Sequence, residues 1–191
     1  MKKVLIYLHG FLSSPASVKA QATLAYWQQH HHDIEFVCPQ LPCYPDDAKN
    51  LLDGLAQKYQ DAHVGYVGSS LGGFLSTYMS DNYGGKAVLI NPAAKPHEVL
   101  EEYLGEHVHP FTQERFVLKP EHMQQLEQMY QPVPVDHAQF WVLLQTEDET
   151  LDYRDAEQKY QRSKLTIEQG GDHAFQGYER FLPDIFRFLF D

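Results

Sequence analysis

The chain has 191 residues, 43% of them hydrophobic, so we expect one domain over residues 1–191 with a sizeable core. Its net charge of −11 argues against nucleic acid or an anionic membrane surface as a partner. The first apolar run, residues 4–8, is too short for a signal peptide or a membrane span. Without an export signal, Cys38 and Cys43 are expected to stay reduced in a cytoplasmic protein.

Short apolar runs alternate with amphipathic segments along the chain. The predicted strands are residues 4–8, 34–37, 64–67, 86–90, 140–144 and 165–168. The predicted helices are 17–31, 46–59, 153–161 and 175–190, and a further helix is predicted to start over residues 74–79. Such alternation predicts an α/β fold, with a mainly parallel sheet of about six strands and helices on both faces.

Residues 92–137 interrupt this alternation and are rich in proline and histidine. Two short helices fit there, 96–104 and 120–130. The segment is too long for a simple loop, and such insertions often form lids or binding segments. We therefore interpret 92–137 as a candidate lid. Its histidines lack a tight ligand spacing, so the sequence predicts no metal and no cofactor.

A strand, the sequence Gly68-Ser69-Ser70-Leu71-Gly72 and a helix follow one another. This order is typical of a nucleophile elbow, in which the central serine occupies a sharp, strained turn. Serine is a weak nucleophile and needs a base, which a third group must orient. His173, in a glycine loop after the last predicted strand, is the best base of the eleven histidines.

The orienting acid should follow the preceding strand, where both Asp148 and Asp152 qualify and Glu147 and Glu149 lie close by. We favour Asp148 because it is nearer the strand end. The other acids are interpreted as a solvated turn and helix start.

An oxyanion needs two preorganised donors, and the backbone N–H groups of Leu71 and Phe11 are the candidates. His9, in the same loop as Phe11, is interpreted as a structural residue.

The order Ser70, Asp148, His173 on a parallel sheet resembles the α/β-hydrolase superfamily over nearly the whole chain. The details are similar to its small bacterial YqiA/YcfP branch. The motifs that carry this are Leu8-His9-Gly10-Phe11-Leu12-Ser13-Ser14-Pro15, Gly68 to Gly73, Asn91-Pro92-Ala93, Asp148-Glu149 with Leu151-Asp152-Tyr153, and Gly170-Gly171-Asp172-His173-Ala174-Phe175. The resemblance implies an esterase, with acyl thioesters among its candidate substrates, and the triad Ser70, Asp148 and His173. Glu147 departs from the pattern, where glycine is expected.

The predicted function is hydrolysis of a small-molecule ester or thioester through an acyl-enzyme on Ser70. An amidase or peptidase with the same triad is the alternative enzyme, and a binding protein without turnover is the alternative of another class. We further expect the insertion to fold over Ser70 and to line an acyl pocket. The candidate lining residues are Phe111, Phe116, Leu118, Met123, Leu126 and Met129.

Overall fold

A computed structural model describes all residues, 1–191. Its main sheet has six parallel strands in the order β2-β1-β3-β4-β7-β8, which confirms the predicted α/β architecture. The strands are β1 Lys3–Leu8, β2 Ile34–Val37, β3 His63–Ser69, β4 Ala87–Ile90, β7 Phe140–Gln145 and β8 Lys164–Glu168. Strands β4 and β7 are buried along their whole length, as expected for central parallel strands covered on both faces.

The helices are α1 Val18–His30, α2 Pro45–Lys58, α3 Leu71–Tyr83, α4 Pro96–Val99, α5 Pro120–Met129, α6 Tyr153–Lys159 and α7 Leu182–Phe190. They form two apolar cores, one on each face of the sheet. Ile6 of β1 belongs to the core with α2, α3, α5 and α6, whereas Leu5 belongs to the core with α1 and α7. This alternation follows from the two-residue period of a strand.

Two predicted helices differ from the structure. The final helix was expected over 175–190, but residues Tyr178–Phe181 form a 3-10 helix and α7 begins at Leu182. Phe175 and Gly177 have φ values of 64° and 71°, which no right-handed helix contains. The helix expected over 96–104 likewise divides into α4 and a 3-10 helix, Leu100–Tyr103.

The insertion also contains a hairpin that the sequence reasoning missed. Strand β5 Gly105–Val108 pairs antiparallel with β6 Arg115–Leu118. Along β6, exposed and buried residues alternate, so Phe116 and Leu118 face the core. This alternation over only four residues is a weak signal in the sequence.

One lysine lies inside the core. Lys159, at the end of α6, is buried, and its Nζ donates a 3.3 Å hydrogen bond to the carbonyl oxygen of Ala94. The ammonium also lies 4.5 Å from the ring centroid of Tyr130. Burial lowers the pKa of Lys159 to about 8, although the charge of Asp81 acts in the opposite direction.

No helix combines the length and the apolar character needed to cross a membrane.

Candidate active site

Ser70 lies between β3 and α3 with φ 56° and ψ −119°, the strained backbone that a nucleophile elbow requires. The flanking glycines are explained by close backbone approaches. A Cβ at Gly68 would lie 2.1 Å from the carbonyl oxygen of Gly72, and a Cβ at Gly72 would lie 1.9 Å from that of Leu8. Any larger residue at 68 or 72 would therefore push α3 away from the sheet.

The structure brings Ser70, His173 and Asp148 together. Nε2 of His173 lies 3.2 Å from Oγ of Ser70, and Nδ1 lies 2.9 and 3.0 Å from the two carboxylate oxygens of Asp148. A carboxylate only accepts hydrogen bonds, so it holds the Nδ1–H tautomer and leaves Nε2 free to accept the serine proton. The Asp148 side chain is 2% exposed, so water competes little for this contact.

Backbone donors fix the direction of the Asp148 carboxylate. Its Oδ1 accepts from the N–H groups of Thr150 (2.9 Å) and Leu151 (2.8 Å). Asp152 has a different environment: it caps the N-terminus of α6, accepts from the Arg154 N–H and pairs with the Arg154 guanidinium. That contact lowers the pKa of Asp152 to about 2. Of the two candidate acids, the structure therefore places only Asp148 against His173.

Glu149 has a contact that the sequence reasoning missed. Its Oε2 accepts a 2.9 Å hydrogen bond from the backbone N–H of His173. Glu149 therefore ties the loop after β7 to the loop that carries the imidazole. Glu147 is exposed, and its backbone N–H donates to the carbonyl oxygen of Gly170.

Two buried amide side chains hold the His173 loop from below. Nδ2 of Asn91 donates to the carbonyl oxygens of Asp172 (2.9 Å) and His173 (3.2 Å), and its Oδ1 accepts from the Gln145 N–H (3.0 Å). Oε1 of Gln145 accepts from the N–H groups of Gln176 (2.8 Å) and Asp172 (3.3 Å). Both amides sit at strand ends, β4 and β7, so the sheet itself positions the histidine.

The two candidate oxyanion donors flank Ser70. Leu71 is the first residue of α3, so its N–H has no acceptor within the helix. Phe11 follows Gly10, and a Cβ at Gly10 would lie 3.4 Å from Cβ of Ser70. The loop of Phe11 therefore runs directly past the serine, because position 10 has no side chain.

His9 anchors that loop. Its Nδ1 bonds the carbonyl oxygen of Gly10 (3.0 Å), and its Nε2 accepts from the backbone N–H of Leu41 (3.0 Å). Burial lowers the pKa of His9, which favours the neutral ring that this pair of contacts requires.

An open cleft of about 260 Å³ lies over Ser70 and His173. The insertion contributes five apolar or aromatic residues to its wall, Ala93, Pro96, Val99, Leu100 and Tyr103. None of the six predicted lining residues lies in this wall. Four of them, Phe116, Leu118, Met123 and Leu126, line a second cavity, Phe111 is 54% exposed and Met129 lines neither space. The difference arises because the part of the insertion next to Ser70 is α4 with the 3-10 helix Leu100–Tyr103, rather than α5.

Solved structures of α/β hydrolases have the same fold, which confirms the fold that the resemblance implies. Est1E from Butyrivibrio proteoclasticus, in a structure with bound ferulic acid, superposes with a TM-score of 0.72 at 13% identity, covering 97% of this chain and 87% of that chain. The mouse protein alpha/beta hydrolase domain-containing protein 10 gives a TM-score of 0.72 at 16% identity, covering 98% and 89%. Esterase Pf2001 from Pyrococcus furiosus gives 0.65 at 13%, covering 98% and 80%.

The fold is thus that of the α/β hydrolases. Within that class, residues 4–190 match the uncharacterised protein family UPF0227, and the chain belongs to this family.

Proposed function

We propose that the protein is a serine hydrolase that cleaves carboxylic esters or acyl thioesters through an acyl-enzyme on Ser70. The observation that carries this proposal is the hydrogen-bonded series from Ser70 Oγ through His173 to the Asp148 carboxylate, on a strained elbow. The apolar cleft above Ser70 supports an acyl group as the bound moiety. One structural neighbour, Pf2001, is named an esterase, and another, Est1E, has ferulic acid bound in its structure. Both support the same reaction class.

The reaction begins with attack of Ser70 Oγ on the carbonyl carbon, while Nε2 of His173 accepts the serine proton. The tetrahedral oxyanion accepts hydrogen bonds from the Phe11 and Leu71 N–H groups. When this intermediate collapses, His173 returns the proton to the departing alcohol or thiol. Water then attacks the acyl-enzyme with His173 as base, and the carboxylic acid and free Ser70 are released. Asp148 stabilises the imidazolium in both halves.

Covalent labelling with a fluorophosphonate tests the nucleophile. We expect Ser70→Ala to abolish labelling and to lower kcat on the order of 10³-fold or more. Ser69→Ala is the matched control, because Ser69 ends β3 and its side chain is not at the apex of the turn. A wild type that is not labelled would contradict the proposal and favour the binding protein without turnover. A Ser70→Ala variant that is still labelled would show that the reactive nucleophile is another residue.

The pair Asp148→Asn and Asp152→Asn tests the acid. An amide at 148 cannot both hold the Nδ1–H tautomer and balance the imidazolium charge, so kcat should fall by about 10⁴-fold. At position 152 an amide oxygen still caps α6, so kcat should stay near the wild-type value. Equal losses at both positions would exclude the assigned role of Asp148.

The leaving group separates the candidate activities. The compounds p-nitrophenyl butyrate, butyryl-CoA and p-nitrobutyranilide share one acyl group. They differ in the bond that breaks, which is an ester, a thioester or an amide. We expect the ester or thioester to have the higher kcat/KM, and the anilide to be the poorest substrate. A preference for the anilide would favour the amidase alternative.

The insertion 92–137 is proposed to act as the lid over this cleft, through α4 and the 3-10 helix. The cytoplasmic location also stays a prediction.

Cys38 and Cys43 are free, and burial raises the pKa of both thiols to about 12, so neither is poised as a nucleophile at neutral pH.

A further inference from the structure

A second cavity lies on the same side of the sheet as the cleft. Its volume is about 40 Å³, and its wall comes from α2, α3, α5 and β6 together with the loops 9–12 and 41–44. Most of the wall is buried, including Ala48, Leu75, Phe116, Met123 and Leu126. Buried side chains therefore form most of the wall of this second cavity, which is smaller than the cleft over Ser70.

The two spaces share one partition. Phe11, Leu12, Leu71 and Leu100 line both the cleft and the second cavity. The ring of Phe11 packs edge-on against Tyr103 at 5.8 Å and against Phe116 at 6.4 Å. Tyr103 belongs to the cleft and Phe116 to the cavity, so the Phe11 side chain stands between them.

The chemistry of the second cavity selects against polar ligands. No lysine, arginine, aspartate or glutamate lines it. Both ring nitrogens of His9 bond neighbouring groups, and Nδ1 of His109 accepts from the N–H groups of Phe111 and Thr112. A polar ligand group placed there would lose its water partners with little in return, whereas a methylene chain would gain from burial.

From this arrangement we propose that the second cavity is an acyl subsite for the distal end of a linear aliphatic chain, with the Phe11 side chain as its gate. The subsite depends on the ester hydrolysis at Ser70 proposed above. Its volume corresponds to about three water-sized groups, so it takes the chain end rather than a whole chain. Phe11 then has two separate tasks: its N–H faces the oxyanion, and its ring sets the chain length that the cleft accepts.

A series of p-nitrophenyl esters from acetate to dodecanoate tests the gate. Each methylene that enters an apolar site should raise kcat/KM about fourfold until the space is full. In Phe11→Ala, this rise should continue for longer chains than in the wild type. Chain lengths are compared within each variant, so a general loss of activity from the altered oxyanion loop cancels.

Ala48→Val reduces the volume of the second cavity without touching the cleft, because Ala48 lines only the second cavity. It should lower kcat/KM for long esters by about fourfold or more and leave acetate and butyrate unchanged. Ala56→Val is the matched control: the same substitution on the same helix, α2, at a residue that lines neither space.

Methionine methyl NMR tests the cavity without turnover. The chain has four methionines, and of these only Met123 lines the second cavity, whereas Met79 and Met129 are buried elsewhere. Titration with 1-octanol should shift the Met123 methyl signal and leave those of Met79 and Met129 in place. 1-Butanol should shift Met123 much less.

Identical chain-length profiles in the wild type, Phe11→Ala and Ala48→Val would overturn the subsite. So would 1-octanol shifts that are absent at Met123 or equal at all three buried methionines. A wild type that hydrolyses no ester and is not labelled by a fluorophosphonate overturns the proposed function instead. The 1-octanol titration then decides alone whether the cavity takes an alkyl chain.

Discussion

Asn91 offers the sharpest test of how the sheet positions the imidazole. Its side chain donates to the carbonyl oxygens of Asp172 and His173 and accepts from the Gln145 N–H. The residue is 2% exposed, so water cannot replace a lost bond. Its φ of 40° also suits asparagine better than most residues. We therefore expect Asn91→Ala to damage both stability and catalysis.

The size of the effect follows from those contacts. Three hydrogen bonds to buried backbone groups are lost, each with a net contribution of about 1 kcal/mol. The free energy of unfolding should therefore fall by roughly 3 kcal/mol. The loop that carries His173 also loses its support on the sheet side. A displacement of about 1 Å between Nε2 and the serine oxygen costs on the order of 10²-fold in rate. Because the cleft residues are unchanged, kcat should fall while KM stays nearly constant.

Urea unfolding and ester kinetics on the same preparations measure the two effects. Asn91→Asp keeps the acceptor for Gln145 but cannot donate to the two carbonyl oxygens, so it should lose at least as much kcat as Asn91→Ala. Asn82→Ala is the control, since that exposed amide donates one bond to Tyr78 within α3. A folded Asn91→Ala with wild-type kcat, or with only KM changed, would refute the positioning role.

Three further predictions concern other parts of the fold. Gly72→Ala should destabilise the protein by about 3 kcal/mol or more, because a methyl there would lie 1.9 Å from a carbonyl oxygen of β1. Gly54→Ala, with open space around it in α2, should instead stabilise by about 1 kcal/mol, and urea unfolding measures both. Glu149→Ala should lower kcat about tenfold, whereas Glu149→Gln should stay near wild type, because the amide oxygen can accept the same bond from the His173 N–H. For Lys159, the folded-state pKa of about 8 lies below the unfolded value of 10.5, so the unfolded chain binds more protons between these pH values and stability rises with pH across that window. The free energy of unfolding of Lys159→Met should exceed that of the wild type by up to about 3 kcal/mol at pH 7. Urea unfolding at several pH values should show this difference shrinking toward pH 10. A difference that is constant with pH would contradict the buried-charge explanation.

The main sheet was predictable because its signals are local. The fully buried strands appear in the sequence as continuous apolar runs, and the residues at their carboxyl ends meet at one edge of the sheet. That rule alone brings Ser70, His173 and the acid after β7 into one region. It also favours Asp148 over Asp152 on distance from the strand end, and the structure agrees on which of the two contacts His173.

The parts that were missed depend on contacts distant in the chain. Asn91 bonds the His173 loop across 81 and 82 positions, and Glu149 reaches the His173 N–H across 24. No periodicity records such pairs. The residues next to Ser70 in the insertion also depend on how Phe116 and Leu118 of the hairpin pack into the core, which is a tertiary effect that four-residue strands do not reveal.

Backbone strain is concentrated at the same edge of the sheet. Five residues other than glycine have positive φ, and four of them, Leu12, Ser70, Asn91 and Phe175, follow β1, β3, β4 and β8. Leucine, serine and phenylalanine gain nothing locally from that conformation, which costs of order 1–3 kcal/mol at each residue. Such strain persists only where the surrounding structure holds the backbone in the strained conformation. The fully buried strands β4 and β7 next to this edge provide that support. The strain at Leu12, Ser70 and Phe175 therefore lies at the carboxyl edge of the main sheet, where the geometry of the loops outweighs their stability. Strain at this edge supports a functional site there.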